Sequence, residues 1–461
     1  MPCSSTIARS ALGIWLLLPL LATAQDQQGS GSPYSAYGFG EFAGATQISQ
    51  AMMGGLGVAV VDPVSTVASN PASYASLQRT AFETGLSIRS STFTSNGSQH
   101  NGRRTDLMGL SLGVPFGKGR WGLGLGVNPV TNVGYRISDV QPLPAGAGEG
   151  SVTHNYTGDG GLNRAFFGFG WVLAQKHDSL TNGYRLSVGA NVNYLFGTIA
   201  ETRKAVYPTF SGFYNTSVVS SLVLRDPTGN LGVQFQGDLK PRKKLADGSL
   251  SEGLRYLVGV TAELPTKLGA RRTDLVTTYG IGNSGTEIPF DTVYFADGRK
   301  GTVGLPVGLG LGFTVFDQHW SVSAELRQRD WRQLQVQVDG YALPNTLASS
   351  SMFILGASYR PSGDLVGGTF WKRSIYRAGV RYNSDYLVVD GHQLTEMGAS
   401  VGISIPVMGS TTRSRLNFGC ELGDRGTTDD GLIRERYAAF YVGVTITPDG
   451  RERWFRKSKI E

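Results

Sequence analysis

The sequence predicts an all-β chain, a transmembrane antiparallel β-barrel of fourteen strands with an N-terminal hatch (plug) in the lumen. Three observations lead there. Large apolar residues alternate with Gly, Ser or Asn over many stretches, most clearly from Val303 to Val315, where Val303, Leu305, Val307, Leu309, Leu311, Phe313 and Val315 are separated mostly by glycine. A period of two gives a strand with one oily face, and the other face here is small and neutral instead of carrying Lys and Glu. Glycine reaches 64 of 461 residues, which weakens helices more than strands. No segment beyond the N-terminus is apolar for the length of a membrane helix, and the mean hydropathy is −0.12. Strands that alternate lipid-facing with lumen-facing residues produce that dilution.

Residues 1–24 read as a secretory signal peptide: Arg9, an apolar run from Ala11 to Leu21, and small residues Ala22-Thr23-Ala24 before Gln25. The run is too short to anchor a membrane. Cys3 precedes it, which excludes a lipoprotein site; removal of the peptide leaves Cys420 as the one cysteine, in phase with Leu416, Phe418 and Leu422 on the apolar face. The excess of +7 charges is scattered singly, apart from Arg242-Lys243-Lys244 and the C-terminal tail. Contact with anionic headgroups of outer-membrane lipids suits that distribution better than nucleic acid.

Residues 25–79 do not alternate and form the expected hatch. Gln47 to Ala51 and Val64 to Ser69 read as helical turns, with Asn70-Pro71 as a stop. Strands are expected at about 80–95, 105–116, 120–136, 162–175, 184–203, 253–264, 268–280, 301–315, 319–337, 350–360, 374–388, 394–406, 413–424 and 434–447. Residues 80–447 thus form the barrel and 448–461 a basic periplasmic tail. Pro115, Pro265, Pro361 and Pro406 then mark strand ends at short periplasmic turns, with 136–161, 204–252 and 281–300 as long outer loops. Segment 216–239 is placed in an outer hairpin; if it crosses, the count becomes sixteen. Trp121, Trp171, Trp320, Trp331, Trp371 and Tyr376 lie near strand ends and suggest an aromatic girdle.

Catalytic and metal chemistry find no footing. His100, His154, His177, His319 and His392 fall in expected loops or turns without ligand spacing, and no G-x-S-x-G elbow occurs. Gly122-Leu123-Gly124-Leu125-Gly126 is strand alternation, not a phosphate loop, and Asp424, Asp429 and Asp430 read as a solvated loop tip. The chain is expected to be no enzyme and to need no cofactor or metal. In the expected ninth strand Glu325, Arg327 and Arg329 fall in phase with the lumen face, where charges pair with a plug or with each other. Asn128-Pro129-Val130-Thr131-Asn132 interrupts the third strand: a proline there forces an unpaired position or a bulge, which can be purely structural.

The run Gly55-Leu56-Gly57-Val58-Ala59-Val60-Val61-Asp62-Pro63-Val64-Ser65-Thr66-Val67-Ala68-Ser69-Asn70-Pro71-Ala72 resembles the hatch of FadL-type outer-membrane transporters of hydrophobic compounds. It departs from that pattern at Pro63, where the family usually has a second Asp. Ser32-Pro33-Tyr34-Ser35 and the Arg453–Lys459 ending look like a branch common in Bacteroidota. The resemblance implies a plugged fourteen-strand barrel in the cell outer membrane. It further implies passive uptake of long-chain fatty acids or aromatic hydrocarbons, with Asp62, Asn70, Pro71 and Ala72 in the hatch. A lateral exit to the bilayer would then lie at Asn128, Pro129 and Asn132. The alternative is an adaptor barrel like the PorV-type partner of type IX secretion, with the basic tail docking a periplasmic or secretion-complex protein.

Overall fold

The computed structural model describes residues 31–448, apart from 46, 144–149, 177–182, 209–211, 243–252, 283–284, 342–345, 363–368 and 408–412. The signal peptide, His177 and the basic tail lie outside the described residues. In strand β12 (Gly308–Phe316) Leu309, Leu311 and Phe313 are about half exposed, whereas Gly308, Gly310 and Gly312 are buried. The same outward display of Leu, Val and Phe recurs on strand after strand, which in water would be a costly continuous patch. Against lipid it is the solvated face of a membrane barrel.

One antiparallel sheet closes on itself through fourteen crossings. β2 (Ala81–Ser95) and β3 (Ser98–Phe116) open it, and β4 (Trp121–Pro129) with β5 (Thr131–Pro142) makes the third crossing. β6 (Ser151–Lys176), β7 (Tyr184–Val206) and β8 (Asn215–Lys240) follow. β9 (Leu254–Glu263) with β10 (Thr266–Ile281), β11 (Glu287–Leu305) with β12, and β13 (Trp320–Asp330) with β14 (Gln335–Val338) each form one interrupted crossing. β15 (Ser349–Tyr359), β16 (Ile375–Val389), β17 (His392–Pro406), β18 (Arg415–Arg425) and β19 (Arg434–Ile446) complete the wall, and β19 pairs with β2. A two-residue strand, β1 (Glu41–Phe42), belongs to the N-terminal segment.

The count agrees with the sequence reading, but the strands composing it do not. Segment 215–240 crosses as β8, and the expected turn at Pro265–Lys267 is an interruption inside a single crossing. Glu263 pairs with Gly308 and Thr266 with Leu305, so in the flanking register Pro265 stands opposite Pro306. Two residues without N–H donors oppose each other, and neither strand leaves a donor waiting. Opposed prolines therefore mimic a turn signal without making one.

The supposed long loops 136–161, 204–252 and 281–300 are largely ladder as well. β6 runs 26 residues, where roughly 9–11 suffice to cross a bilayer. The surplus rises past the lipid, at the end of the barrel away from Ala81 and Ile446. There no oily face is required and the alternation fades. His100, His154 and His392 consequently lie in strands rather than loops. Trp331 also departs from expectation: it is 3% exposed in a helical turn inside the barrel, where its Nε1 donates to Ser350 Oγ at 3.0 Å. Trp121 and Trp171, stacked at 5.0 Å, and Trp320, stacked on Tyr359 at 4.2 Å, do sit near the wall's terminal end.

The inward face changes character at mid-height. Toward the terminal end β7 and β8 turn Asn191, Asn193, Asn230 and Gln234 inward; toward the far end they turn in Leu195, Ile199, Leu222 and Leu224. The latter join Val133, Tyr135, Leu162, Leu268 and Val303 in one buried apolar cluster. Replacing Leu311 by Arg on the lipid face is expected to destabilise the barrel by about 2–4 kcal/mol. Denaturant titration of the folded protein in lipid vesicles measures it, and a loss under about 0.5 kcal/mol would mean that β12 does not face lipid.

Candidate functional site

The third crossing breaks at Val130. Below it β4 pairs with both neighbours, ending at Pro129 opposite Asn163. Above it β5 resumes on β6 with Val133 opposite Gly160, one residue out of step, so the crossing carries a bulge. Gly160 and Gly161 have φ of +108° and +137°, a backbone shape that accommodates the step at no cost only for glycine. The other neighbour, β3, bulges too: Gly85 pairs with Gly109 but Leu86 with Leu107, which turns Met108 inward. Before Leu110, over residues 98–109, β3 stands apart from β5, and no ladder joins them among the described residues.

The N-terminal segment occupies that gap. Glu41 and Phe42 pair with Asn132 and Thr131 on the free edge of β5, and the Ala43 amide donates to Val130 O at 2.9 Å. The Gly134 amide donates to Ser35 Oγ at 3.2 Å. Asn132 Nδ2 donates to Asp106 Oδ1 at 2.5 Å, a side-chain bridge across the parted strands. Glu41 faces Arg89 at 2.5 Å, Arg104 at 3.0 Å and Arg425 at 3.3 Å. Burial by itself would raise its carboxyl; the three guanidinium groups outweigh that and hold it well below the usual carboxylate range.

Behind β1 lies a cavity of about 290 Å³ lined by Pro129, Val130, Arg164, Glu263, Arg329 and Trp331 among others. A second pocket, bounded by Phe39, Leu162, Leu195 and Pro306, adjoins it and shares with it Phe42, Val130 and Trp331 and the charged Arg164, Glu263 and Arg329. Phe42 packs on Trp331 and Tyr386 with ring centroids 4.9 and 5.3 Å apart. Asn128 is fully buried, and neither of its side-chain polar atoms has a partner among the described residues.

The remaining expected residues lie deeper in the N-terminal segment. Asn70 caps the helical turn Pro71–Ser76, its Oδ1 accepting from the Ala72 amide at 3.1 Å, and its Nδ2 donates to Val58 O at 2.6 Å. Asn-Pro thus starts a helical turn instead of stopping one, with Pro at the first position where its missing N–H does no harm. Ala72 is fully buried, its amide nitrogen 2.5 Å from where a Cβ on Gly189 would stand. Only glycine in the wall admits so close an approach. Of the two turns expected before it, Ile48–Ala51 is helical and 64–69 is not.

Asp62 Oδ1 accepts from the Val64 amide at 2.9 Å, and its other oxygen lies 3.7 Å from Arg377. Glu325 Oε2 accepts from the amides of Gly57 and Val58 at 2.8 and 2.7 Å; Arg327 spans Glu325 and Gly55 O; Arg329 pairs with Glu263. Sequence reading missed Glu41 and its arginines, and also the polar residues that bond the segment. Gln234 donates to Val58 O and Val60 O, Asn191 to Ala68 O, Thr314 to Ala59 O, and Glu83 accepts from Ser49 and Ser65. Their signal was present: each falls in phase with the glycine face of its strand. Asp424 pairs with Arg434 and Asp430 with His392, and the described residues hold no cluster of metal-ligating side chains.

A family model described as BamG matches residues 7–461. The chain belongs to the BamG family. Solved structures share this BamG chain's fold at low identity. The CymD monoaromatic hydrocarbon channel is 15% identical with a TM-score of 0.50, covering 88% of this chain and 99% of that one. A Pseudomonas aeruginosa FadL homologue is 12% identical with a TM-score of 0.50 over the same shares. A TodX deltaS2S3 mutant monoaromatic hydrocarbon channel is 14% identical with a TM-score of 0.52, again over 88% and 99%. No curated protein matches the chain.

Glu41→Gln leaves three buried guanidinium groups facing a neutral amide. It is expected to weaken the local closure of β1 by about 3 kcal/mol, read as faster hydrogen exchange at the Ala43 amide. Because folding depresses the Glu41 pKa, its stabilising contribution holds above the unfolded value near 4.3 and fades only as pH falls through the lower folded value. Ala43 protection, corrected for intrinsic exchange, should thus be flat from pH 7 to about 4 and drop in stronger acid. The Gln variant should lack that drop.

Proposed function

We propose that this BamG-family protein is an outer-membrane channel for passive uptake of hydrophobic small molecules, either long-chain fatty acids or aromatic hydrocarbons, with lateral exit into the bilayer. Residues 1–24 export it, 25–79 serve as the hatch, 80–447 as the barrel and 448–461 as the periplasmic tail. One observation carries the reading: the apolar inward face of the far end borders a gap in the wall that no strand of the barrel closes among the described residues and that the N-terminal segment covers through β1. An oily molecule entering from the far end meets Leu222, Leu224 and Leu195, then Phe39 and Val130, and finally the parting of β3 from β5 beside Pro129. Below that level the polar bonds of Asn191, Gln234, Glu325 and Thr314 to the hatch bar the way. Lateral exit spares an apolar solute the transfer into water that a straight pore would demand. Asn128, Pro129 and Asn132 would form the opening, and Asp62, Asn70, Pro71 and Ala72 the fixed part of the hatch. Hydrocarbon channels share the fold, which supports the substrate class by analogy alone.

A Phe42→Cys/Thr131→Cys pair tests the opening, because those residues face each other in the ladder at a separation a disulfide can span. In vesicles, uptake of radiolabelled toluene and oleate should stop on oxidation and return on reduction. Equal uptake in both states would sink the lateral route.

A second reading, an adaptor barrel of an envelope-assembly or secretion complex, is favoured by β11. Its residues 287–295 are exposed on both faces, Phe290 and Phe295 included, and before Gly301 its outer edge has no ladder partner among the described residues. A free edge of this kind accepts an added strand. Cross-linking in native membranes distinguishes the readings: a stoichiometric large protein on β11 favours the adaptor.

A further inference from the structure

Basic residues that lie singly along the sequence gather at one place on the outer wall. On β8, β10 and β11 the buried Leu224, Leu268, Ala270 and Val303 face the lumen. Arg225, Lys267, Arg271 and Lys300, which alternate with them and are exposed, therefore face outward. Arg225 stands opposite Gly269, between the levels of Lys267 and Arg271, and Arg271 stands directly opposite Lys300. Like charges opposed across a ladder destabilise it. None of the four has a hydrogen bond or ion pair among the described residues.

The nearby carboxylates do not cancel the patch. Asp226 Oδ2 accepts from the Gly269 amide at 2.5 Å, and Asp297 Oδ1 accepts from Thr273 Oγ1 at 2.9 Å; neither pairs with a cation. Asp274 and Asp339 belong to Arg272 and Arg299 on the inner side. Four outward cations set against Asp226 and Asp297 leave an excess of two positive charges. Elsewhere on this rim the outward Arg434 and Arg436 share Asp424.

The patch begins where the oily band ends. On β8 the outward residues Phe235, Val233 and Leu231 are apolar, and Arg225 stands ten positions from Phe235 toward the far end. At the usual strand tilt that is about 25 Å, the height of the apolar band of an outer-membrane barrel. Above Val307, β11 turns outward only Gly304, Thr302 and then Lys300. Aromatic rings mark both borders. Tyr184, Phe235 and Tyr256 cluster at the lower one; Tyr194 and Phe196, stacked at 6.2 Å, lie at the upper one, with Phe196 opposite Arg225. The strands that rise past the lipid make the far end the outer side. The four cations thus meet the headgroups of the outer leaflet. A phosphate monoester there carries close to two negative charges and three acceptor oxygens, which guanidinium and ammonium groups match.

We propose that this patch is a binding site for an outer-leaflet lipid whose headgroup carries phosphate monoesters. Arg271 and Lys300 clamp a phosphate, Arg225 and Lys267 extend the contact, and the acyl chains lie on Leu231, Leu264 and Val307. The site rests on the membrane-barrel fold and is independent of the transport reading.

Native mass spectrometry of the full chain, folded in octyl glucoside and supplied with diphosphoryl lipid A, tests it. Dioleoylphosphatidylcholine is the control. One retained lipid A per chain is expected, weakened by raised ammonium acetate, with the choline lipid lost under the same activation. The double variant Lys267→Gln/Arg271→Gln should weaken lipid A binding about tenfold or more. Lys267→Arg/Arg271→Lys, which keeps the charges, should retain it. Arg434→Gln/Arg436→Gln, elsewhere on the same rim, should bind as the native chain does. Heat-modifiable gel mobility verifies that each variant keeps the barrel. Equal retention of the choline lipid, native binding by the Lys267/Arg271 double Gln variant, or an equal loss in the Arg434/Arg436 variant would overturn the assignment.

Discussion

A backbone edge in a membrane wall must find hydrogen-bond partners, because lipid supplies none. The third crossing breaks that requirement at Val130 and the N-terminal segment restores it. β1 adds a strand to β5, Asn132 reaches Asp106, and Glu41 reaches the arginines of β2, β3 and β18. Much of the interior depends on this repair. The ion pairs around Glu41 continue through Arg425 to Asp385, and Glu396 joins Arg89 to Arg381, so the cover over the gap is tied into the far wall.

The inward face is organised around the same level. Polar residues below it hold the N-terminal segment through backbone carbonyls and amides, a demanding kind of contact because each buried group needs its partner. Apolar residues above it need none and pack on one another. The difference separates a lower half bonded to the N-terminal segment from an upper half whose inward face is an apolar cluster, with Phe42, Trp331 and Tyr386 at the boundary.

The barrel was legible in the sequence because lipid enforces strict alternation, and β12 shows it nearly residue for residue. What misled was proline. Pro265 opposite Pro306 reads as a turn in one dimension, since the missing donors are matched only once the register is known. β8 was lost for the opposite reason. Its run through Asp226-Pro227-Thr228-Gly229 interrupts the apolar phase at the level where the neighbouring wall is also broken. The break at Pro129 was readable from the Asn-Pro pair, because proline in a ladder always has a local consequence. The cover over it was not: nothing local in Glu41-Phe42 says strand, and that strand exists only because β5 offers an edge. Glu41 shows the same limit in charge, since its three partners lie 48, 63 and 384 residues away.

Tyr34 donates its hydroxyl to the carbonyl of Ile433 at 2.6 Å, a contact between positions 399 residues apart. The segment that carries Tyr34 precedes every strand of the wall, yet it ends up enclosed by all of them. Its native contacts with β18 and β19 cannot form until those last strands are present. The seam between β19 and β2 therefore closes around cargo that was made first, and contacts so distant in sequence are slow to form. Biogenesis of this barrel is thus a problem of wrapping, in which the core waits for its container.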